Sequence, residues 1–356
     1  MKTYREAISS AAYRMRGHLP ESIRILSDAL DALETDPLPD QYGTGSVIEN
    51  FQARISNDLG KEQSVFFPSG TMAQQIALRI WCDEMQLMRL AYHPLCHLEI
   101  HEQDGLKELH HIETVLLGEA DRLFTMADLK TVGNVACVLF ELPQREIGGQ
   151  LPAWDDLVEM VSYCASRGFH THLDGARLLE CLPFYEKTAA EVCALFDSVY
   201  LSFYKSLGGV TGAMLSGTAA FMEKAKIWKR RHGGDLYHLY PYVLTAGYAY
   251  DLRKDNMSGY WSHAKAYCRQ LNRIKGFRTV PDVPVCNMFH LHMEHSLEKV
   301  EAALVNVMET HDVSLLGGLS VRDGKTVSEI WMGDSCMLVP EELLDTALEM
   351  LARELG

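Results

Sequence analysis

Residues 170–177 read HTHLDGAR and residues 198–209 read SVYLSFYKSLGG, and these two segments decide the fold class. In each segment, an apolar run typical of a buried strand leads to a polar residue, Asp174 or Lys205, followed by small residues. In open α/β sheets, ligands bind at the carboxyl ends of the strands. The two segments therefore predict a site that contains both Asp174 and Lys205.

Neighbouring segments repeat this alternation of strand and helix. SVFFPSG (64–70) predicts a strand and a turn, and TMAQQIALRIW (71–81) predicts the helix that follows. NVACVLFEL (134–142) predicts another buried strand, followed by a helix that ends at Gly168. Strands that alternate with helices predict an α/β fold with a mostly parallel sheet covered by helices on both faces.

The two ends of the chain predict a second domain. After about residue 250, charged helices surround short apolar pieces, which is typical of a smaller α+β domain. We predict a large domain over residues 35–245 and a small domain formed by residues 1–34 and 246–356. Residues 20–34 predict a helix with one apolar face, made of Ile23, Leu26, Leu30 and Leu33.

The composition excludes several classes of protein. The chain has 356 residues, 47% of them apolar, and its 33 basic and 48 acidic residues give a net charge of −15. This balance argues against a disordered chain and against binding to nucleic acid or an anionic membrane. No apolar run approaches the roughly 20 residues needed to span a bilayer. Nine cysteines without a C-x-x-C pair favour reduced thiols, and we expect a cytoplasmic protein.

An aspartate and a lysine at one site can serve a single planar cofactor. Pyridoxal phosphate (PLP) needs a lysine for covalent attachment and a carboxylate that keeps its ring nitrogen protonated. Ser69-Gly70-Thr71, which opens a helix, offers free amides for a phosphate group. Each signal is weak alone, because Asp174 could cap a helix, Lys205 could be solvated and the Ser-Gly-Thr turn could be a cap.

Together these motifs resemble one family. Residues 42–78, the stretch HLDGARLLE (172–180) and the stretch SFYKSLGGVTGAMLSG (202–217) resemble the threonine aldolase and β-eliminating lyase family of PLP-dependent enzymes. The resemblance covers roughly residues 42–235. It implies the PLP-dependent transferase-like fold (fold type I), a dimer or tetramer, and an amino acid as substrate. The implied reaction cleaves a β-hydroxy-α-amino acid to glycine and an aldehyde.

The resemblance also implies roles for four candidate catalytic residues. Lys205 would bind PLP covalently, and Asp174 would be the partner of the pyridinium nitrogen. Arg177 would lie near the 3′-oxygen of PLP and the substrate carboxylate, although an ion pair with an acidic neighbour is the alternative. His97 would stack on the cofactor ring and, directly or through water, take the proton of the β-hydroxyl group.

The phosphate-binding residues match the family less closely. Gly70 and Thr71 would hold the phosphate. Tyr237 stands where relatives have a phosphate-binding arginine, and Arg230 could replace that charge. Gln144 stands where relatives have a second histidine, and an amide cannot act as an acid or base near neutral pH.

The substrate carboxylate lacks its usual partner. The late arginine of the family has no counterpart in TVSEIWMGDS (326–335), and the other basic residues that could serve are Arg14, Arg16 and Arg322. We therefore expect weak activity on threonine and allo-threonine, with a bulkier or differently charged β-hydroxy-amino acid preferred.

Three other interpretations stay open. The same cofactor residues would serve β-elimination, transamination or racemisation, because Lys205 and Asp174 support every such reaction. A non-catalytic binding protein on the same fold is a second alternative. The spacing of His93, His97 and His101 would suit a metal ion on a helix, but Pro94 interrupts that helix, and we predict no metal site.

Overall fold

The computed structural model describes residues 3–18 and 22–356. Residues 1, 2 and 19–21 lie outside it, so the first two positions of the helix predicted over 20–34 are outside the described residues. The described residues form two compact units. The larger comprises residues 23–146 and 151–255, and the smaller comprises the described residues up to Ser22 with residues 147–150 and 256–356. The domain boundaries predicted from the sequence stay a prediction.

Helices and strands alternate through most of the described chain. The helices are α1 (Tyr4–Ser10), α2 (Ile25–Asp31), α3 (Ser46–Leu59), α4 (Gly70–Met85), α5 (His97–Ile100), α6 (Gly105–His110), α7 (Met126–Leu129), α8 (Trp154–Ser166), α9 (Leu178–Tyr185), α10 (Ala189–Cys193), α11 (Ala219–Arg231), α12 (Tyr240–Arg253), α13 (Met257–Leu271), α14 (Leu297–His311) and α15 (Glu341–Leu355). The strands are β1 (Tyr13–Arg14), β2 (Gln63–Phe67), β3 (Arg89–Tyr92), β4 (Glu113–Leu116), β5 (Cys137–Glu141), β6 (His170–Asp174), β7 (Ser198–Ser202), β8 (Ala213–Gly217), β9 (Phe277–Val280), β10 (Met288–Met293), β11 (Val313–Ser314), β12 (Leu319–Arg322) and β13 (Lys325–Trp331).

The larger unit contains a seven-stranded sheet in the order β2-β8-β7-β6-β5-β3-β4. Strand β8 pairs antiparallel with both of its neighbours, and the other strand pairs are parallel. This arrangement confirms the predicted mostly parallel sheet. The strands β3 and β4, of four residues each, were not predicted, because RLAY and ETVL are too short for their pattern to be distinguished from a loop.

The core of the larger unit forms between this sheet and helix α4. The strands β5 and β7 are buried almost throughout, as expected for central strands of a parallel sheet. On α4, the Trp81 ring stacks on His170 and Phe221, with centroid distances of 3.9 and 4.4 Å, and its indole N–H donates to Ser198. This packing fixes α4, whose first turn lies at the carboxyl end of β2.

Antiparallel strands β12-β13-β10-β9 form the sheet of the smaller unit. A separate parallel pair joins β1 to β11. Helices α14 and α15 pack on each other in this unit. The arrangement agrees with the α+β character expected after residue 250.

Helix α2 differs from the expectation. It covers Ile25–Asp31 rather than residues 20–34, and its buried residue is Ala29. The four residues of the predicted apolar face are all exposed, and Ile23 is 87% exposed. Periodicity identifies an apolar face but does not say what covers it, and in the described chain the packing of α2 beside α12 uses Ala29 instead.

The nine cysteines are buried free thiols. Within the described residues, no helix combines the length and the hydropathy required to cross a membrane.

Candidate active site

The carboxyl ends of three neighbouring parallel strands bring the candidate residues together. Glu141 ends β5 opposite Asp174 at the end of β6, and Asp174 lies opposite Tyr200 in β7. Lys205 follows the end of β7 by three residues. The site predicted for Asp174 and Lys205 is therefore at this edge of the sheet.

Asp174 is buried, and two donors fix its carboxylate. Its Oδ1 accepts a hydrogen bond from the Ala176 amide at 3.1 Å, and its Oδ2 accepts from Gln74 Nε2 on α4 at 2.8 Å. The hydrogen bond from the Ala176 amide resembles a helix cap, which was the alternative role considered for Asp174. Gln74 adds a contact that a simple cap does not need, and it holds the second oxygen in one orientation.

Charges converge around the Lys205 amine. Burial lowers the pKa of Lys205 below that of an ordinary lysine; the Asp174 carboxylate opposes this shift, and the Arg177 guanidinium adds to it. Glu141 and Arg145 also act on this amine, in opposite directions. No ion pair within the described residues holds Lys205, so the amine is buried among charges without a close partner. A lysine of lowered pKa is a better nucleophile near neutral pH.

Glu141 accepts several hydrogen bonds at the centre of the site. Its carboxylate accepts from the His97 amide at 3.4 Å, from Gln144 Nε2 at 3.2 Å and from the Arg145 amide at 3.3 Å. Burial raises the pKa of Glu141, and the negative charge of Asp174 raises it further. Gln144, the residue in place of the family's second histidine, thus serves here as a donor to a buried carboxyl group.

Gly70 and Thr71 begin helix α4, close to Tyr200. The Ser69 hydroxyl caps this helix by accepting from the Met72 amide at 3.3 Å, so the amides before Met72 are not used by the cap. A Cβ atom on Gly70 would lie 2.1 Å from the Tyr200 hydroxyl oxygen, so only glycine fits there. Thr71 is exposed. The helix start can therefore present backbone amides to an anion.

His97 lies at the start of α5, with its amide directed at Glu141. Its ring Nδ1 is 3.3 Å from Glu102 Oε1, and its ring centroid is 5.1 Å from that of His101. His97 and Lys205 both act on the pKa of Glu141. The structure thus places His97 in the same charged group as Lys205 and Asp174.

Arg177 lies beside an acidic residue and also close to the other charged residues of the site, so both environments considered from the sequence are present. Its Nε lies 3.7 Å from Glu180 Oε1, which is the acidic neighbour of the alternative interpretation. Its charge also acts on Lys205, so it belongs to the charged group at the strand ends.

Tyr237 and Arg230 lie in different surroundings. Tyr237 is 54% exposed, and its ring packs edge-on against Tyr42 at 5.3 Å. The Arg230 side chain is 65% exposed, lies 5.2 Å from the Tyr42 ring centroid and pairs with Asp235 at 3.4 Å. Within the described residues, no hydrogen bond or ion pair joins either side chain to Lys205 or Asp174. Their proposed contact with phosphate stays a prediction.

Histidines at the spacing of a metal site have other partners. His93 Nε2 lies 2.8 Å from the Arg122 carbonyl oxygen, and its Nδ1 accepts from the Leu95 amide. His101 Nε2 lies 3.0 Å from Glu146. The part of the chain that the structure describes contains no group of three or more His, Cys, Asp or Glu side chains suited to a metal ion.

Four polar residues of the site were not identified from the sequence. Gln74, Gln75 and Glu102 are buried, and Tyr200 is buried beneath Gly70. A signal existed for the two glutamines, because TMAQQIAL places polar side chains in an otherwise apolar helix that packs on the sheet. Glu102 carried no signal for this role, since its contacts with His97 and Gln75 depend on the tertiary structure.

Comparisons with known proteins identify relatives of this chain. A family model described as β-eliminating lyase matches residues 26–295. Low-specificity L-threonine aldolase 1 of Arabidopsis thaliana is 23% identical over 80% of this chain and 82% of its own length. Aldolase vrtJ of Penicillium aethiopicum is 30% identical over 52% of this chain. The chain spans about half the length of that protein, 49%.

Solved structures resemble the chain over nearly its whole length. A structure from Exiguobacterium sp. 255-15, described as an aromatic amino acid β-eliminating lyase/threonine aldolase, is 49% identical with a TM-score of 0.97 and covers 99% of both chains. A structure from Listeria monocytogenes described as an L-allo-threonine aldolase is 47% identical, also with a TM-score of 0.97 and 99% coverage of both chains. Serine palmitoyltransferase of Sphingomonas wittichii, 16% identical with a TM-score of 0.67, shares the fold.

These neighbours confirm the predicted fold type I. The family model matches residues 26–295, which is most of the chain. The chain belongs to the β-eliminating lyase family, which the motifs around Gly70, Asp174 and Lys205 predicted.

Proposed function

We propose that this protein is a PLP-dependent lyase that cleaves the Cα–Cβ bond of a β-hydroxy-α-amino acid to glycine and an aldehyde. The observation that carries the proposal is the convergence of Lys205, Asp174, Arg177 and His97 at the carboxyl ends of β5, β6 and β7. The relatives named as threonine aldolases support this reaction.

The residues present fit PLP. Lys205 offers a buried amine of lowered pKa for covalent attachment. Asp174 offers a buried carboxylate whose orientation is fixed by two donors. The start of α4 offers backbone amides that the Ser69 cap does not use, and such amides can bind a phosphate group. When bound, PLP would supply a ring that accepts the electrons left on Cα when the Cα–Cβ bond breaks.

Each protein group then has a separate task. Asp174 keeps a proton on the ring nitrogen, since a nearby carboxylate stabilises the positive charge. Arg177 offers a guanidinium for the substrate carboxylate or for a phenolic oxygen of the cofactor. The His97 ring removes the proton of the β-hydroxyl group, directly or through water. Gln144 donates to Glu141 and to the Leu95 carbonyl oxygen, and its amide does not titrate near neutral pH, so it cannot share this proton transfer.

A substrate panel tests the proposal. The purified protein is incubated with PLP and with threonine, allo-threonine, phenylserine and an acidic β-hydroxy-amino acid, and glycine and aldehyde are measured. The late arginine that binds the substrate carboxylate in the family has no counterpart in this chain. We therefore expect weak activity on threonine and allo-threonine and a higher kcat/KM on a bulkier or differently charged substrate. The carboxylate contact is worth about 1.5–3 kcal/mol, or one to two orders of magnitude in affinity.

The panel also distinguishes other reactions. Pyruvate and ammonia from a substrate with a β-leaving group would favour β-elimination, and loss of optical activity without cleavage would favour racemisation. A keto acid formed with amino-group transfer would favour transamination. Binding of PLP without turnover of any compound would favour a non-catalytic role.

We also propose that the protein self-associates as a dimer or tetramer. The resemblance implies it, and the exposed apolar residues of α2 and its flanks are consistent with a face that another copy covers. This face consists of Ile23, Leu26, Leu30 and Leu33. Light scattering coupled to size-exclusion chromatography should give at least twice the mass of the chain, and a fully active monomer would contradict the proposal.

A further inference from the structure

The His97 ring faces a buried carboxylate that no role described so far uses. Nδ1 of His97 and Oε1 of Glu102 are 3.3 Å apart, and the side chains are 27% and 2% exposed. Both atoms are buried, and neither makes a hydrogen bond in the described part of the chain, so the 3.3 Å approach is a contact between two buried polar atoms that still lack a partner. Buried polar atoms are normally hydrogen-bonded, so each of these two atoms is the available partner of the other.

Glu102 is held in place from its other side. Its Oε2 accepts a hydrogen bond from Gln75 Nε2 on α4, at 2.8 Å. Gln75 is itself confined, because a Cβ atom on Gly105 would lie 2.3 Å from Gln75 Nε2. Since Gln75 can only donate through this nitrogen, it fixes Oε2 as an acceptor and leaves Oε1 directed at the imidazole.

We propose that Glu102 is a positioning residue, which orients the His97 ring and holds its proton on Nδ1. The other ring nitrogen, Nε2, then carries the lone pair and can accept a proton from the substrate hydroxyl group. The tautomer is a property of the protein alone, whereas its use in proton transfer rests on the function proposed above. The Glu141 carboxylate contacts the backbone amide of His97, and the His101 ring lies 5.1 Å away, so neither replaces Glu102 at Nδ1.

The physical reason lies in which nitrogen of a neutral imidazole carries the proton. A carboxylate can only accept, so it forces a donor on the nitrogen that it faces. In other enzymes with a carboxylate–histidine pair, replacing that carboxylate by its amide leaves the wrong tautomer and lowers kcat by up to about 10⁴-fold. His97 needs such control here because Gln144 cannot replace it as the base.

Glu102→Gln is the decisive variant, because Gln75 determines how the new amide is oriented. Gln75 Nε2 must still find an acceptor, so the amide oxygen of the variant faces Gln75 and the amide nitrogen faces His97. The imidazole then has to accept at Nδ1, and its proton moves to Nε2. We expect ¹⁵N NMR of histidine-labelled protein, with the His97 signals identified by their loss in His97→Asn, to show the two nitrogens exchanging roles. The expected loss in kcat is at least about 10²-fold.

A second variant separates geometry from charge. In Gln75→Glu combined with Glu102→Gln, the carboxylate at position 75 accepts from the amide nitrogen at position 102, and the amide oxygen faces His97. The proton should return to Nδ1, and kcat should recover at least tenfold over Glu102→Gln. Glu99→Gln is the matched control, since Glu99 lies in the same helix as His97 but pairs with Lys107 and Tyr92, and the His97 signals should not move.

The outcomes separate this inference from the proposed function. A His97 proton on Nε2 in the unaltered protein, or a tautomer that does not change in Glu102→Gln, would overturn the inference whatever the enzyme does. If the tautomer changes as expected and kcat does not, the positioning role is overturned. A protein that cleaves no β-hydroxy-amino acid but shows the expected tautomers would refute the proposed function and leave the Glu102–His97 contact established.

Discussion

Two lysines of the larger unit, the buried Lys229 and the partly buried Lys205, have different surroundings. Burial lowers the pKa of both Lys205 and Lys229. Lys229 has a dedicated partner, since its Nζ lies 3.3 Å from Asp235 Oδ1, and the Phe67 ring covers it at 5.8 Å. Lys205 has no such partner among the described residues, although Asp174 lies near enough to raise its pKa.

The difference indicates which lysine is held for structure and which is held for reaction. An ion-paired ammonium stays protonated and cannot act as a nucleophile, and it fixes the loop that carries Asp235. An amine surrounded by charges of both signs, without a close partner, loses its proton more readily than a solvated lysine does. Burial alone therefore does not identify a reactive lysine.

Covalent labelling with PLP should show the largest difference between Lys205 and Lys229. Borohydride reduction of the PLP-loaded protein should place the label on the peptide that contains Lys205 and leave Lys229 unlabelled. Lys205→Ala should abolish both the label and the turnover, because it removes the amine that lies near Asp174 and Arg177. Peptide mapping by mass spectrometry makes the measurement, and a label on Lys229 would reverse the comparison.

Asp174→Asn should lower kcat by about 10²–10⁴-fold while PLP remains bound. An amide cannot hold a proton on the ring nitrogen, so the cofactor loses its capacity to accept electrons. Steady-state kinetics and the bound-PLP absorption band give the two measurements. Asp235→Asn, which removes the partner of Lys229, is the matched control and should change kcat little. Near-normal turnover in Asp174→Asn would make this residue a cap.

Gly70→Ala should destabilise the protein by about 1–3 kcal/mol, because its Cβ would overlap the Tyr200 hydroxyl. Affinity for PLP should fall as well, since the start of α4 has to shift. Gly259→Ala is the control: it is also a helical glycine, but a Cβ there meets no atom within 4 Å, and it should stabilise by about 1 kcal/mol. Denaturant unfolding measures both. Equal stabilities would mean that Tyr200 moves aside at little cost.

The pH dependence of PLP incorporation tests the charges around Lys205. The neutral amine is the nucleophile, so incorporation into cofactor-free protein should increase with pH as Lys205 loses its proton. Arg177 lowers the pKa of Lys205, so Arg177→Gln should move the rise to higher pH. Asp174 raises that pKa, so Asp174→Asn should move the rise to lower pH. Shifts in the same direction for both variants would contradict this arrangement.

Arg230→Gln should have the smallest effect on stability, because Arg230 is exposed and its pair with Asp235 is screened by water. Unfolding free energy should change by no more than about 0.5 kcal/mol. Its effect on PLP affinity decides the proposed contact with phosphate. A several-fold weaker affinity, measured by spectroscopic titration, would support that role, and an unchanged affinity would remove Arg230 from the cofactor site.

Particular residues mark the limit of prediction from sequence. Asp174 and Lys205 were identifiable because each follows an apolar run, and parallel strands place such positions at one edge of a sheet. The glutamines on α4 were visible as polar residues in an apolar pattern, but their partners were not. Glu102 and Tyr200 could not be identified, because their contacts with His97 and Gly70 depend on how loops and helices pack.

The sequence by itself determined the alternation of strands and helices, the family and the residues at the strand ends. Periodicity and local motifs depend only on residues that are close together in the chain. Only the tertiary structure decided which of the predicted site residues lie close enough to interact electrostatically and which lie apart. It placed His97 with Glu102 and Glu141, and it left Arg230 and Tyr237 on an exposed surface beside Tyr42. The apolar face of α2 is predicted by its spacing, but its exposure is not. The physical reason is that pKa values, hydrogen bonds and burial depend on distances between residues that are far apart in the chain.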